Sequence, residues 1–271
     1  MSYQLIEVES LTPTIGANVS GVDLSQPIGE PLFAEIHDAW MEHLVLFFRD
    51  QTITPSQHLA FGRLFGNLHV HPAAPYADGQ PELMVIHTDK DSLRNNGSGW
   101  HSDVSADEEP PMASLLHLHE VPSRGGDTLW ASMYAAYDAL SSKMKEILDP
   151  LTALHAADYT GYYGDHEAQR ESPQAEHPVI RRHPVTKKKV LFVNRGFTRK
   201  INEISAGESR ALLGFLFEHV QKPAFQCRFQ WQRNSVALWD NRCTQHVAIW
   251  DYYPESRSGI RVTVKGDKPR R

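Results

Sequence analysis

Phe225-Gln226-Cys227-Arg228-Phe229-Gln230-Trp231 puts an apolar side chain at every odd position and a polar one at every even position. Side chains of an extended chain alternate between faces, so the stretch predicts a β-strand with one face in a core and the other in water. Short apolar runs with polar borders recur on both sides of it: residues 44–48, 83–86, 191–193, 236–239 and 260–264 all read as strands. Helices are fewer. Thr54-Pro55-Ser56-Gln57 offers an N-cap, a proline at the first helical position and a glutamine three residues on, which predicts a capping box and a helix through residue 65. Ser205-Ala206-Gly207-Glu208 opens another, with Leu212, Leu213, Leu216 and Val220 on one stripe and Pro223 past its end. Residues 31–43 and 133–148 are two further helix candidates. Strands at both ends with a few helices between predict a mainly β domain, a β-sandwich or jelly roll with helical additions. No repeat, low-complexity tract or linker interrupts the 271 residues, so one domain over 1–271 is expected. Residues 159–176 are polar, carry Gly and Tyr, and follow neither period; a loop of that length in a compact domain is often a lid.

Composition narrows the function classes. A hydrophobic share of 41% with 22% charged residues is that of a soluble globular enzyme. The net charge of −6 argues against nucleic acid or an anionic membrane as partner, and no apolar run is long enough to span a bilayer. Met1-Ser2-Tyr3-Gln4 has neither a basic nor an apolar leader, so a cytoplasmic protein is expected, with Cys227 and Cys243 free rather than bridged. The 15 histidines are an ample supply for a metal site, although most must be surface or core residues.

Trp100-His101-Ser102-Asp103 contains His-x-Asp. On a strand, positions i and i+2 share a face, so an imidazole and a carboxylate can meet one cation. The pattern alone is weak: His87-Thr88-Asp89 repeats it, and His69/His71 and His117/His119 are further same-face pairs. A third ligand from a distant strand would complete two histidines and one carboxylate, a facial triad suited to non-haem iron(II). His246 qualifies, because Asp240-Asn241-Arg242-Cys243-Thr244-Gln245-His246 follows the strand-like Val236-Ala237-Leu238-Trp239. Beyond it, Arg257 and Arg261 would share a strand face and send two guanidinium groups into one cavity; the alternative is an ordinary basic C-terminus.

Several blocks, in order from near residue 10 to near residue 269, resemble the TauD/TfdA family of iron(II)- and 2-oxoglutarate-dependent dioxygenases. They are Ile15-Gly16-Ala17 with Gly21-Val22-Asp23-Leu24, Phe47-Phe48-Arg49-Asp50-Gln51, Trp100-His101-Ser102-Asp103 and Gly125-Gly126-Asp127-Thr128-Leu129-Trp130. Trp239-Asp240-Asn241-Arg242 with Thr244-Gln245-His246, and the run from Arg261 through Pro269, complete the set. The resemblance implies a double-stranded β-helix (jelly roll) and iron ligands His101, Asp103 and His246. It implies that Thr128 and Arg257 hold the distal carboxylate of 2-oxoglutarate. Arg261 is similar to a family arginine near both the co-substrate and the substrate anion, and His71, Gly97, Val104 and Phe197 fall at substrate-contacting positions. The expected reaction consumes O2 and 2-oxoglutarate, hydroxylates a small organic anion, and releases succinate and CO2. Homo-oligomers, dimers or tetramers, are common in the family. The aspartate at position 103 favours hydroxylation over halogenation, for which relatives carry a small residue there.

The resemblance departs at the substrate end. Ala74 and a residue near Gly161 stand where the family prototype has aromatic rings, Gly97 replaces an amide that holds the taurine amine, and Ala106 is also smaller. With the anion end (His71, Arg261) kept and the amine end opened, a bulkier sulfonate, an alkyl sulfate or an aryloxyalkanoate is expected over taurine. Tyr159, Tyr162 or Tyr163 could refill the space. Rival readings are taurine dioxygenase proper, a jelly-roll binding protein without catalysis, and a zinc hydrolase, which leaves the Thr128/Arg257 pair unexplained.

Overall fold

The computed structural model describes residues 3–71, 75–77, 79–95, 97–158 and 173–271. Its main sheet runs, in order, Glu7–Ser10, Ala17–Ser20, Val45–Phe48, Ser235–Asp240, Ala113–Glu120, Arg257–Val264, Gln80–Thr88 and Tyr76–Ala77, with Leu68–His69 also paired to Arg257–Val264. Pairing is antiparallel except between Ala17–Ser20 and Val45–Phe48. The central strands are apolar at successive positions because both faces are covered. Phe47, Leu116, Leu118, Ala237 and Trp239 enter an inner core, whereas Leu46, Phe48, Leu115, Val236 and Leu238 enter an outer one. Helices α1 (Glu30–His43) and α2 (Pro55–Arg63) cover the outer face with Ile36, Trp40, Leu59 and Phe61. The capping box is present: Gln57 N–H donates to Thr54 Oγ1 (3.3 Å) and Thr54 N–H to Gln57 Oε1 (2.7 Å).

A second sheet, ordered Gln226–Phe229, Thr128–Ser132, Thr244–Ala248, closes the inner core, and Phe47 of the main sheet stacks on Phe229 at 3.9 Å between ring centroids. These sheets form the jelly roll. The alternation that predicted this strand holds past its ends: Phe225, Cys227, Phe229 and Trp231 are buried, although Pro223–Phe225 forms a single 3-10 turn. A third sheet joins Gln174–Pro178, Thr152–Ala156 and Thr198–Ile201. Gln174–Pro178 overlaps the segment expected as a loop through 176: its polar residues pair in register with Thr152–Ala156. Residues 159–172, which include Gly161 and the three tyrosines, lie outside the described residues, as does Ala74.

Other departures have local causes. Residues 133–148 form two helices, α3 (Met133–Asp138) and α4 (Ser142–Leu148), because Ser141 Oγ caps the second by accepting from Met144 N–H (3.2 Å). Helix α5 (Ala206–His219) starts where Ser205 predicts, with a capping box between Ser205 and Glu208, and buries Leu213, Leu216 and, at its C-cap, Val220. The strand expected at 191–193 lies at Lys189–Leu191 instead. At the step from Ser258 to Gly259, Ala113–Glu120 carries one extra residue, and a Cβ on Gly259 would run into the His117 carbonyl. Both cysteines are free and buried. Among the described residues no helix is long and apolar enough to cross a membrane.

Candidate active site

His101, Asp103 and His246 converge at the mouth between the two main sheets, each offering one ligand atom within 4.8 Å of the others. Asp103 Oδ1 lies 3.6 Å from His101 Nε2 and 3.8 Å from His246 Nε2. The route differs from the strand geometry that the sequence suggests. Only His101 is extended, bridged to His246 by backbone hydrogen bonds of 3.1 and 2.8 Å. The chain then turns, and Val104 adopts a φ of 47°, rare for a β-branched residue. Asn241 holds this turn: its carbonyl accepts from Ser102 Oγ (2.6 Å) and its Oδ1 from Asp103 N–H (3.3 Å).

The donor set fits a divalent metal. His101 Nδ1 donates to the Gly99 carbonyl (2.7 Å), which leaves the Nε2 lone pair facing the other ligands. Burial, and then the neighbouring His101, push His246 well below the ordinary imidazole range, so it is neutral and able to ligate. Burial raises the Asp103 carboxyl, but Arg261 and the two histidines outweigh it and hold the group well below the usual carboxylate range. Arg261 Nη1 donates to Asp103 Oδ1 at 2.8 Å. A second cluster, His183, Asp240 and Cys243, is already satisfied. Asp240 accepts from Arg242 (2.8 and 2.6 Å) and His183 (2.9 Å), and burial pushes the Cys243 thiol well up.

Deeper in, Arg257 projects from the last strand toward Thr128. Burial pulls its guanidinium down to about 10, which still leaves it protonated at neutral pH. Its Nε donates to the Gly126 carbonyl (3.2 Å) and its Nη2 to Thr128 Oγ1 (3.4 Å). Gly125 and Gly126 both have positive φ (76° and 69°), and a Cβ on Gly125 would run into Asp251, whose carboxylate accepts the Gly126 N–H (2.8 Å). The paired glycines thus turn the Gly126 carbonyl toward Arg257. Thr128 Oγ1 also accepts from Trp231 Nε1 (2.9 Å), so its own hydrogen remains to donate into the cavity.

One cavity of about 350 Å3 is lined by all ten predicted site residues: His71, Gly97, His101, Asp103, Val104, Thr128, Phe197, His246, Arg257 and Arg261. Met84, Ile86, Leu116, Ala157, Trp239 and Ala248 add apolar wall, and Asp158 and Arg199 add charge. Sequence reasoning missed these; Arg199, two residues beyond Phe197, was the most accessible to an alternation argument. Ala106 does not line the cavity. It is buried behind it against Ala157 and Phe197, because the turn after Asp103 carries it away from the ligands. Of the other histidine patterns only His71 reaches the cavity: His87 bonds Asp89 (3.4 Å), His69 faces Asp107 (3.5 Å), and His117 packs on His58.

A jelly roll that brings two imidazoles and a carboxylate to one cavity, with a buried arginine behind them, defines a non-haem oxygenase scaffold. Known proteins narrow the class. Residues 7–263 match the family model described as "Taurine catabolism dioxygenase TauD, TfdA family". An alkylsulfatase of Acinetobacter baylyi is 35% identical, with 97% of this chain and 86% of that protein aligned. An alpha-ketoglutarate-dependent sulfate ester dioxygenase of Pseudomonas putida is 33% identical over 97% of this chain and 91% of its own. The solved structure of a taurine dioxygenase from Burkholderia xenovorans superposes with a TM-score of 0.87 at 36% identity, covering 98% of this chain and 93% of that one. The chain belongs to the TauD/TfdA family of 2-oxoglutarate-dependent dioxygenases. Membership implies 2-oxoglutarate and O2 as co-substrates, and together with the His–Asp–His set it implies iron(II).

Proposed function

We propose that His101, Asp103 and His246 hold iron(II), that Thr128 and Arg257 clamp the distal carboxylate of 2-oxoglutarate, and that Arg261 and His71 receive the anionic end of the prime substrate. A guanidinium and a hydroxyl at the end of an apolar cavity suit a carboxylate, because charge-assisted hydrogen bonds there are shielded from water. When bound, the iron supplies O2 activation coupled to decarboxylation of 2-oxoglutarate to succinate and CO2. The protein positions the substrate C–H, excludes water and keeps Asp103 ionised through Arg261.

The preferred substrate in this reading is a small organic anion bulkier than taurine: an alkyl sulfate, a longer sulfonate or an aryloxyalkanoate. The observation that carries it is the lining of the cavity. Arg261 and His71 line it as partners for an anion, while Gly97, Val104, Ala157 and Ala248 give it small apolar wall, Gly97 and Ala248 beside His101. Gly97 has a φ of 89°, and a Cβ there would sit 3.4 Å from the His101 ring and 3.9 Å from Ala248, so even the smallest side chain would narrow this wall. No amide stands at position 97 to take an ammonium. A second reading, taurine dioxygenase proper, is favoured by the likeness to the Burkholderia enzyme. The test supplies taurine, longer alkyl sulfonates, alkyl sulfates and aryloxyalkanoates at equal concentration, and scores succinate together with released sulfite, sulfate or phenol. Each missing buried methylene contact is worth about 1 kcal/mol, so bulkier anions should win by tens- to thousands-fold. Taurine ahead by about tenfold would instead establish the second reading.

A further inference from the structure

We propose that Trp239, Asn241 and Ser114 form a one-way hydrogen-bond relay that positions the Asp103 carboxylate so that it offers a single oxygen to the metal. The proposal rests on the iron site assigned above. An indole N–H can only donate, and Trp239 Nε1 donates to Asn241 Oδ1 at 3.0 Å. That contact fixes the orientation of the Asn241 amide: Oδ1 accepts, from the Asp103 backbone N–H as well (3.3 Å), and Nδ2 must donate. Its acceptor is Ser114 Oγ at 2.9 Å. The single Ser114 hydrogen is therefore directed at Asp103 Oδ2, 2.7 Å away. Oδ2 is held by Ser114 on the side away from the histidines, and Oδ1, which also accepts from Arg261 Nη1 (2.8 Å) and keeps a second lone pair, is the oxygen that faces the Nε2 atoms of His101 and His246.

All four residues are 3% exposed or less, so water does not compete for these bonds. The opposite polarity would require an indole acceptor, which does not exist. The relay also accounts for the alternation in Trp239-Asp240-Asn241-Arg242: the first and third residues serve Asp103, and the second and fourth turn into the separate ion pair with His183. A carboxylate free to rotate could chelate through both oxygens and occupy a coordination position that the co-substrate or O2 requires. Ser114, Asn241 and Trp239 are thus positioning residues that act through Asp103.

The test is Mn(II) binding to the full metal-free chain, read from the EPR signal of free Mn(II). Ser114→Ala should weaken Mn(II) about tenfold to a hundredfold, as loss of a ligand-orienting partner does, and Ser114→Thr should restore most of it. Ser209→Ala removes another buried hydroxyl, which accepts Ile201 N–H (2.8 Å) on α5, and controls for destabilisation: it should bind Mn(II) as the wild type does. If Ser114→Ala does not fold, Trp239→Phe carries the test, with a several-fold loss expected; where both fold, the double variant should bind no more weakly than Ser114→Ala alone. Wild-type Mn(II) affinity in folded Ser114→Ala or Trp239→Phe overturns the relay and leaves the site intact. Mn(II) binding that survives His101→Ala overturns the site assignment itself, and the relay with it.

Discussion

Acidification from pH 7 to pH 5 should strip this protein of about 6 kcal/mol of stability through three histidines that have no part in catalysis. Burial holds His58 and His155 down to about 3 and His177 to about 4, each from an ordinary value of 6.5. His58 faces His117, and His155 and His177 face one another at 5.1 Å between ring centroids, so protonating both members of a pair would set like charges side by side. The sign follows from the depressed folded values. Below 6.5 the unfolded chain binds protons that the folded chain refuses, so stability present above 6.5 is lost as pH falls. At pH 5 every folded value lies at least about one unit lower, so the loss is set by the unfolded value: 1.5 units at about 1.36 kcal/mol each, or about 2 kcal/mol per histidine. A domain of this kind has roughly 5–15 kcal/mol in total, so the effect is large. His117 and metal-free His246, also pushed down, act in the same direction. Urea unfolding followed by tryptophan fluorescence from pH 7.5 to 5 measures the slope, and His58→Phe should remove about 2 kcal/mol of the total change, the slope falling by up to about 1.4 kcal/mol per pH unit below pH 6. An unchanged slope in His58→Phe would refute the reasoning, whatever the variant's absolute stability.

Two further outcomes follow from the site. His101→Ala or His246→Ala should abolish both metal binding and turnover, and Asp103→Ala should retain at most weak binding without hydroxylation; turnover like the wild type in either histidine variant would remove the assignment. Arg257→Ala should weaken 2-oxoglutarate by about 2–5 kcal/mol, thirty- to several-thousand-fold, as the loss of a buried charged partner does. Titration of the visible band of the anaerobic iron(II) complex reads this directly, and an unchanged 2-oxoglutarate affinity with a collapsed affinity for the prime substrate would show that Arg257 and Arg261 exchange roles.

The parts of the fold legible in the sequence are those where one local rule acts alone. Runs such as Val45–Phe48 announce a strand covered on both faces, and the capping boxes at Thr54 and Ser205 announce helix starts, because each signal sits within a few residues. The break between α3 and α4 was hidden, since no proline or glycine marks it and Ser141 acts only through a cap. His101 and Asp103 were legible as candidate ligands but not as a turn: His-Ser-Asp-Val reads as extended, and Val104 at positive φ is a conformation that its own side chain disfavours. Ala106 was misplaced for the same reason. Ser114 could not be found at all, because a lone serine in an apolar strand says nothing about a carboxylate eleven positions earlier with which it shares a hydrogen bond.

The location of the two arginines has a consequence for how this enzyme can change. Arg257 and Arg261 stand on a strand flanked on both sides by other strands, whereas Gly97, Val104 and Phe197 sit in turns. The proposed clamp is therefore fixed on a strand hydrogen-bonded on both edges, and the proposed substrate contour is hung on turns. Variation there can explore new substrates while leaving the central strands untouched. A library confined to residues 98, 99 and 197 would vary that contour while sparing Asn194, which is buried and bonded to Ser105, and Gly196, where a Cβ would run into His101.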